Sequence, residues 1–304
     1  TPFESKHQLV QVSDTKRATY DRQIPISFKQ AFEPAMSCNG NGLCFNYDTS
    51  SPMCPSSKIT GDRRHSPKGR AGLIREWLLQ LHANKISADS FSPTRFKSSI
   101  FARIKNSVSQ SNDDFNHEVL EAMNGCLACK SCSNQCPVGV DVPDFRAKFL
   151  AIYYTRYLRP VKDYFVAEVE RLAPLMATAP RLFNLLTQSS IASWVLKHGI
   201  GYVDTPAHSV PVLSKRVGQK ALVLKSLSDM TRLGSIPEAD KDKYVLIVQD
   251  PFTSFYDADV VEKLVKFIEK VGKIPILLPF SPNGKPQHVK GFLQKFEQTA
   301  TRTS

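Results

Sequence analysis

Four cysteines within eleven residues, Cys126-Leu-Ala-Cys129-Lys-Ser-Cys132-Ser-Asn-Gln-Cys136-Pro137, carry the most pointed chemistry in this sequence. Their spacing fits the C-x₂-C-x₂-C-x₃-C-P run that wraps a [4Fe–4S] cluster. The three closely spaced thiolates take three corners of one cube, and the cysteine before the proline turns away to ligate a second cluster. A zinc ion fits poorly, because tetrahedral zinc sites separate two cysteine pairs by a dozen or more residues. A disulfide framework fits worse: seven cysteines are an odd number, and nothing in the sequence suggests secretion.

The second cluster needs ligands, and an earlier segment supplies them. Cys38-Asn-Gly-Asn-Gly-Leu-Cys44, followed by Ser51-Pro-Met-Cys54-Pro55, aligns with the later run as a degenerate copy with Asn41 in a cysteine slot. By the crossover rule, cluster B takes Cys54, Cys126, Cys129 and Cys132, and cluster A takes Cys38, Cys44 and Cys136 with one corner open. Three chemistries fill that corner: a [3Fe–4S] cluster, a [4Fe–4S] cluster with an oxygen or nitrogen ligand, or one with exchangeable solvent. Asn41 is the candidate fourth ligand, although Asn before Gly42 is by default a turn residue. His65 and Asp62 are weaker candidates. Asp62-Arg-Arg-His65 and Lys68-Gly-Arg70 are either a solvated basic loop or charges that offset the cluster and raise its potential. Leu43, Met53 and Leu127 are either ordinary packing residues or placed to exclude water from the clusters.

These loops need elements to hold them. Leu73, Ile74, Trp77, Leu78 and Leu81 share one helical face between Gly69 and His82. Asn112 and Asp113 can cap a helix carrying Phe115, Val119, Leu120 and Met123 toward Cys126. Asp141 caps a third helix, with Pro143 in its first turn and an apolar stripe of Phe145, Phe149, Ile152 and Tyr153. Pro160, Pro174 and Pro180 divide 161–198 into short helical pieces ending at Gly199-Ile-Gly201. Leu182 to Leu196 is uncharged but broken by polar residues, which suits a buried or partner-facing helix better than a membrane span.

The pattern then changes class. Tyr244–Val248 reads as a strand, Asp257–Val271 as a helix and Ile274–Leu278 as a second strand, forming a βαβ unit. Two strands do not make a stable sheet alone, so the expectation is an α/β domain truncated at its C-terminal end. Thr1 in place of Met likewise suggests a cut N-terminus. The fold expected is mainly α: 1–30 an arm or linker, 31–205 an α-helical two-cluster ferredoxin domain, 206–242 a linker, and 243–304 a partial α/β domain. Ser281–His288 follows the second strand, where open α/β sheets place ligands, although its Pro and Gly also make an ordinary turn.

Length and charge bound the function. At 304 residues, 41% hydrophobic, the chain suits about two domains. Forty Lys and Arg against 28 Asp and Glu leave +12, which suits nucleic acid, an anionic membrane surface or an acidic protein. Bound clusters remove roughly three of those units, because coordinating thiols are deprotonated. The basic residues are spread without aromatic interleaving, which disfavours an Fe–S-stabilised nucleic-acid-binding module. No secretory signal, dinucleotide fingerprint, P-loop or hydrolytic triad is visible.

The cysteine segments, with Met53-Cys-Pro-Ser56, Lys68-Gly-Arg-Ala71, Gln249-Asp-Pro-Phe252 and Leu278-Pro-Phe-Ser-Pro-Asn-Gly284, resemble the bacterial FAD-linked, iron–sulfur-binding oxidases of the D-2-hydroxyglutarate dehydrogenase type. Glycolate oxidase and anaerobic glycerol-3-phosphate dehydrogenase are related to these. The resemblance implies an N-terminal flavin domain outside this sequence, then the helical ferredoxin and a C-terminal domain of the Cys-Cys-Gly type, whose cysteines are absent from 243–304. It implies flavin oxidation of a D-2-hydroxyacid, with electrons passing through a [4Fe–4S] cluster B and a [4Fe–4S] or [3Fe–4S] cluster A to a quinone or protein acceptor. No catalytic residue is expected in this chain. Partners would be a flavin domain of the same polypeptide or a flavoprotein subunit, and not nucleic acid. The location would be cytoplasmic, with peripheral attachment to the inner membrane face as an option. A detached iron–sulfur subunit of a glycerol-3-phosphate or glycolate dehydrogenase is the alternative arrangement.

Overall fold

The structure is a computed structural model and describes residues 19–46, 48–84, 98–109, 115–202, 205–218, 221–224, 229, 233–234 and 236–304. Two compact units divide the chain, Thr1–Leu158 and Arg159–Ser304. It is mainly helical with one small parallel sheet, the class expected.

The first unit contains α1 (Ile26–Ala31), α2 (Glu33–Met36), α3 (Pro55–Thr60), α4 (Pro67–Ala83), α5 (Ile100–Val108), α6 (Phe115–Asn124), α7 (Ser131–Gln135) and α8 (Val142–Arg156). Its core lies between α4 and α8. On α4, Ile74, Trp77, Leu78 and Leu81 are buried, as the 3.6-residue pattern requires. Trp77 meets Phe32 and Phe149 edge to face, with ring centroids 5.5 and 5.0 Å apart, and its Nε1 donates to Asn116 Oδ1. Helix α8 is buried nearly all round, so its core surface is wider than the single stripe expected. The Asp141 carboxylate caps it by accepting from the Asp144 amide at 3.1 Å, with Pro143 in the first turn. The proposed caps Asn112 and Asp113 lie outside the described residues.

The expected arm over 1–30 is corrected where it is described. Ile24 and Phe28 are each 2% exposed and join Phe32 in the core. Apolar residues at 24, 28 and 32 already repeat every four positions, one face of a helix.

The second unit contains α9 (Val161–Ala167), α10 (Val169–Met176), α11 (Pro180–Thr187), α12 (Ser190–Val195), α13 (Leu213–Val217), β1 (Leu222–Val223), β2 (Tyr244–Ile247), α14 (Pro251–Phe255), α15 (Ala258–Lys270), β3 (Ile274–Leu277), α16 (Lys285–Val289) and α17 (Leu293–Thr303). The helices from 161 onward group with the sheet, whereas the sequence reading carried the ferredoxin region to 205. Pro174 sits inside α10, and the break falls at Glu168 instead. The strands run parallel in the order β1-β3-β2, with Ile276 paired to both Leu222 and Leu246. The segment read as a linker over 206–242 therefore supplies a third strand, and α13 from it buries Leu213 and Val217 against the sheet and α15. Two residues are too few for alternation to reveal such a strand.

In this unit Leu182, Leu185, Leu186, Ile191 and Trp194 remain exposed along α11 and α12. Of the two expectations for this uncharged stretch, burial does not hold within the unit. Among the described residues no helix is long and apolar enough to cross a membrane.

Candidate metal centres

All seven cysteines are free thiols, and the fold gathers them into two pockets. Pocket B is lined by Cys54, Cys126, Cys129 and Cys132, with Ser56, Arg70, Leu127, Lys130 and Pro143. Pocket A is lined by Cys38, Cys44 and Cys136, with Asn39, Gly40, Asn41, Gly42, Lys68 and Val140. Each pocket thus mixes cysteines from both runs, grouped as the crossover spacing requires. About 280 and 290 Å³ of space, open solvent included, lie free of protein atoms at B and A, so the plain difference between the pockets is in their donors.

The local backbone explains how short loops aim so many thiols inward. Cys54, Ala128 and Lys130 have φ of 35°, 53° and 61°, and they are the non-glycine residues with positive φ among those described. Each such conformation costs roughly 1–3 kcal/mol and persists only where surrounding structure over-determines it. All three fall in the segments that form pocket B. Pocket A obtains its left-handed turns from Gly40 and Gly42, at φ 80° and 83°, without that penalty.

The first turn of α4 touches both pockets. Ser66 caps it, its hydroxyl accepting from the Gly69 amide at 3.0 Å. The Lys68 amide donates to Cys44 Sγ at 3.4 Å, on the side of pocket A. Two residues on, Arg70 Nη1 donates to Cys54 Sγ at 3.6 Å, on the side of pocket B. Gly69 lies between them because a Cβ there would stand 2.1 Å from the Arg63 carbonyl oxygen. The Lys-Gly-Arg-Ala segment therefore supplies a donor to each pocket around a point of close backbone approach, and Ala71 is fully buried behind it.

The thiols differ in their readiness to ionise. Burial pushes Cys132 up to about 12. Burial also raises Cys126, against the Ala128 amide and the charges of Arg70 and Arg146. Burial raises Cys44 too, partly opposed by the Lys68 amide. At Cys54 the burial effect is outweighed by hydrogen bonds from Ser56 and Ser57 and by the Arg70 charge, so this thiol is held below its ordinary value. Thiolates are the metal-binding form, so loading the buried thiols Cys44, Cys126 and Cys132 releases protons.

The residues present fit iron–sulfur clusters. Among the described residues no group of three or more His, Cys, Asp or Glu is gathered closely enough to hold a single metal ion. Four thiols facing one another across a cavity suit the corners of a cube instead. Asn41 lines pocket A, but its Oδ1 accepts from the Leu43 amide at 3.0 Å, closing a turn. The weaker candidates are occupied elsewhere: Asp62 binds Arg64, and His65 Nδ1 pairs with Thr60 Oγ1 at 3.0 Å. Leu43 and Leu127 are 54% and 67% exposed, so only Met53 of the three expected water excluders is buried.

Residues 34–140 match the family model described as a 4Fe-4S dicluster domain. The chain is 50% identical over 311 residues to a D-2-hydroxyglutarate dehydrogenase of Pantoea ananatis, covering all of this chain and 30% of that protein. The enzyme of that name from Escherichia coli is 50% identical over 305 residues, covering 97% of this chain and 30% of the relative. The one from Haemophilus influenzae is 45% identical over 305 residues, at 99% and 29%. This chain is a homologue of the C-terminal part of the D-2-hydroxyglutarate dehydrogenases. It carries the 4Fe-4S dicluster domain over 34–140 and spans about 30% of the length of the curated relatives it matches. No solved structure matches it.

The Ser281–His288 loop, the other candidate ligand site, is already filled by the protein. The carboxylate of Glu170, itself 3% exposed, accepts from the amides of Asn283 and Gly284 at 3.3 and 2.8 Å. Gly284 has φ 78°, and a Cβ there would meet Phe296 at 2.9 Å. This makes the loop a locked turn of the dehydrogenase homologue. Arg146, 5% exposed and donating to the Met123 carbonyl at 2.8 Å, was not singled out from sequence, because a lone arginine amid α8 reads as surface.

Proposed function

We propose that this chain is the electron-transfer module of an FAD-dependent D-2-hydroxyacid dehydrogenase acting on D-2-hydroxyglutarate or a close analogue. In this reading Cys54, Cys126, Cys129 and Cys132 hold a [4Fe–4S] cluster in pocket B. Cys38, Cys44 and Cys136 hold three corners of a [4Fe–4S] or [3Fe–4S] cluster in pocket A. The observation that carries it is the sorting of seven cysteines from two distant runs into two pockets, four and three.

Such clusters supply one-electron transfer, which couples a two-electron hydride donor to an acceptor that takes electrons singly. The chain's own residues hold and tune. Cysteine side chains ligate, and the Lys68 and Ala128 amides donate to the Cys44 and Cys126 sulfurs at 3.4 Å each. Such outer hydrogen bonds adjust potential. Val140 at pocket A and Val142 at pocket B, both nearly fully buried, wall the pockets against water, and Met53 is buried in the core beside Cys54 in the chain.

The flavin and the hydroxyacid site belong, in this proposal, to a further part of the same polypeptide or to a flavoprotein subunit. The greater length of the relatives supports that, as does the exposed apolar row on α11 and α12, a surface suited to being covered. The acceptor is a quinone or a protein, met in the cytoplasm or at the inner membrane face. The test uses the complete dehydrogenase: anaerobic D-2-hydroxyglutarate should generate the EPR signals of reduced clusters. The reading fails if the flavin bleaches while the clusters of wild-type enzyme stay oxidised.

A further inference from the structure

The basic residues between 62 and 75 do not share one role. Arg64 is exposed and ion-paired to Asp62 at 2.8 Å. Arg63 lies over the Phe45 ring, 4.9 Å from its centroid. Lys68 Nζ donates to the Gly40 carbonyl at 3.3 Å. Arg75 is buried, bonds the Cys38 carbonyl at 2.8 Å and pairs with Asp21 at 3.0 Å, so its charge is already met.

Arg70 differs from all of these. It is 0% exposed and heads the largest fully buried side chains. Its Nε donates to the Ala122 carbonyl at 2.8 Å, its Nη2 to Ser56 Oγ at 3.2 Å and its Nη1 to Cys54 Sγ at 3.6 Å. Among the described residues it forms no ion pair with a carboxylate. Gly125 leaves room for it, because a Cβ at 125 would stand 3.3 Å from Nη2. A buried guanidinium with only neutral acceptors costs several kcal/mol unless an anion faces it. The anion that the surroundings offer is the contents of pocket B, which Arg70 lines together with all four of its cysteines.

We propose that Arg70 is the fixed counter-charge of the cluster in pocket B and sets its reduction potential. This rests on the reading of pocket B as a [4Fe–4S] site. With four thiolates, such a cube carries a charge of about −2 when oxidised and about −3 when reduced. Reduction adds one electron, supplied in turnover by the reduced flavin, and no bond is made or broken. A positive charge held beside Cys54 in a dry pocket attracts the −3 state more than the −2 state, so it raises the potential. Arginine suits the role because it stays charged at any working pH, and its fork fixes Cys54, Ser56 and the Ala122 carbonyl together. Among the described residues pocket A has no fully buried equivalent: its nearby Arg75 is paired with Asp21, and Lys68 is only half-buried, so solvent screens its charge.

The experiment is an EPR-monitored redox titration, with iron analysis, of the full chain reconstituted anaerobically as wild type, Arg70→Gln, Arg70→Lys and Arg64→Gln. Arg70→Gln should weaken reduction of the pocket B cluster at least tenfold, about 59 mV for one electron, and leave the pocket A signal in place. Arg70→Lys should load iron as wild type does and shift the same signal by less. Arg64→Gln should shift neither. If Arg70→Gln fails to load pocket B, the lysine variant decides: because lysine keeps the charge, a potential near wild type supports the proposal, and a fall of about 59 mV or more overturns it. Two loaded clusters in Arg70→Gln with wild-type potentials overturn it while leaving the cluster reading intact. A wild-type chain that takes no iron in pocket B removes both.

Discussion

Pockets A and B enclose nearly the same space with different materials. B sets four thiols around it, bends its backbone through positive φ at three non-glycine residues and buries an arginine without a carboxylate. A has three thiols, takes its turns from glycine and lets Asn41 close a turn where a fourth thiol would stand. The costly features of B make sense only if one rigid object recovers them, whereas A is inexpensive and incomplete. In the proposed reading the two copies of one motif take different tasks: a fixed relay at B, and a corner free to vary at A.

The largest effects should come from crossing the ligand sets. Cys54→Ala should abolish the pocket B signal and about half the iron while pocket A persists; Cys136→Ala should do the reverse, although Cys136 belongs to the same run as the B ligands. Loss of the pocket A signal in Cys54→Ala would break the comparison outright.

Trp77→Ala should erase the distinction by removing what the pockets share. It deletes the ring between Phe32 and Phe149 on the helix that serves both, at about 3–5 kcal/mol. Chemical denaturation should show that loss, and both cluster signals should fall together. Retention of one cluster at full occupancy would mean that the pockets are supported separately.

Asn41→Cys should sharpen the contrast. A fourth thiol at pocket A should convert its EPR signature to that of an ordinary [4Fe–4S] site and leave B untouched. A wild-type spectrum would mean that the turn holds residue 41 away from the metal.

Acidity should separate the pockets more gently. Because burial raises Cys132 to about 12, the proton competes with iron there throughout the neutral range. Loading of pocket B should strengthen as pH rises from 6.5 to 8.5 and release protons, which chelator competition and calorimetry in buffers of different ionisation enthalpy can measure. The smallest effect is expected from Ser66→Ala, which removes the α4 cap at about 1 kcal/mol and should lower thermal stability while leaving the pocket B spectrum unaltered; its hydroxyl also bonds Cys44, so any spectral change should be confined to pocket A.

Much of this was legible in the residues. The pocket linings divide the cysteines as the crossover rule of two-cluster ferredoxin runs implies, with the three closely spaced thiols at one pocket and the cysteine before Pro137 at the other. Helices α4, α8 and α15 announced themselves through their apolar period. What escaped had physical reasons. The strand at Leu222–Val223 is defined by its partner Ile276–Leu277 and not by its own pattern. Residues 161–200 carry helical signals, but which unit they join depends on long-range packing. Arg70 was visible as one charge among several; that, of the basic residues between 62 and 75, it is the fully buried one with no carboxylate partner depends on Gly125, Ala122 and Ser56, which lie as far as 55 residues away in the chain. Leu43 and Leu127 read as shields because they are apolar, yet both are largely exposed, Leu127 at the rim of pocket B.

The central claim is that two separate clusters sit in pockets that share ligand runs crosswise. Iron quantitation of the anaerobically reconstituted full chain, with EPR of its oxidised and reduced forms, tests it most directly. The account predicts about seven or eight irons per chain and two distinguishable signals. Four irons or fewer, with one signal, would contradict it.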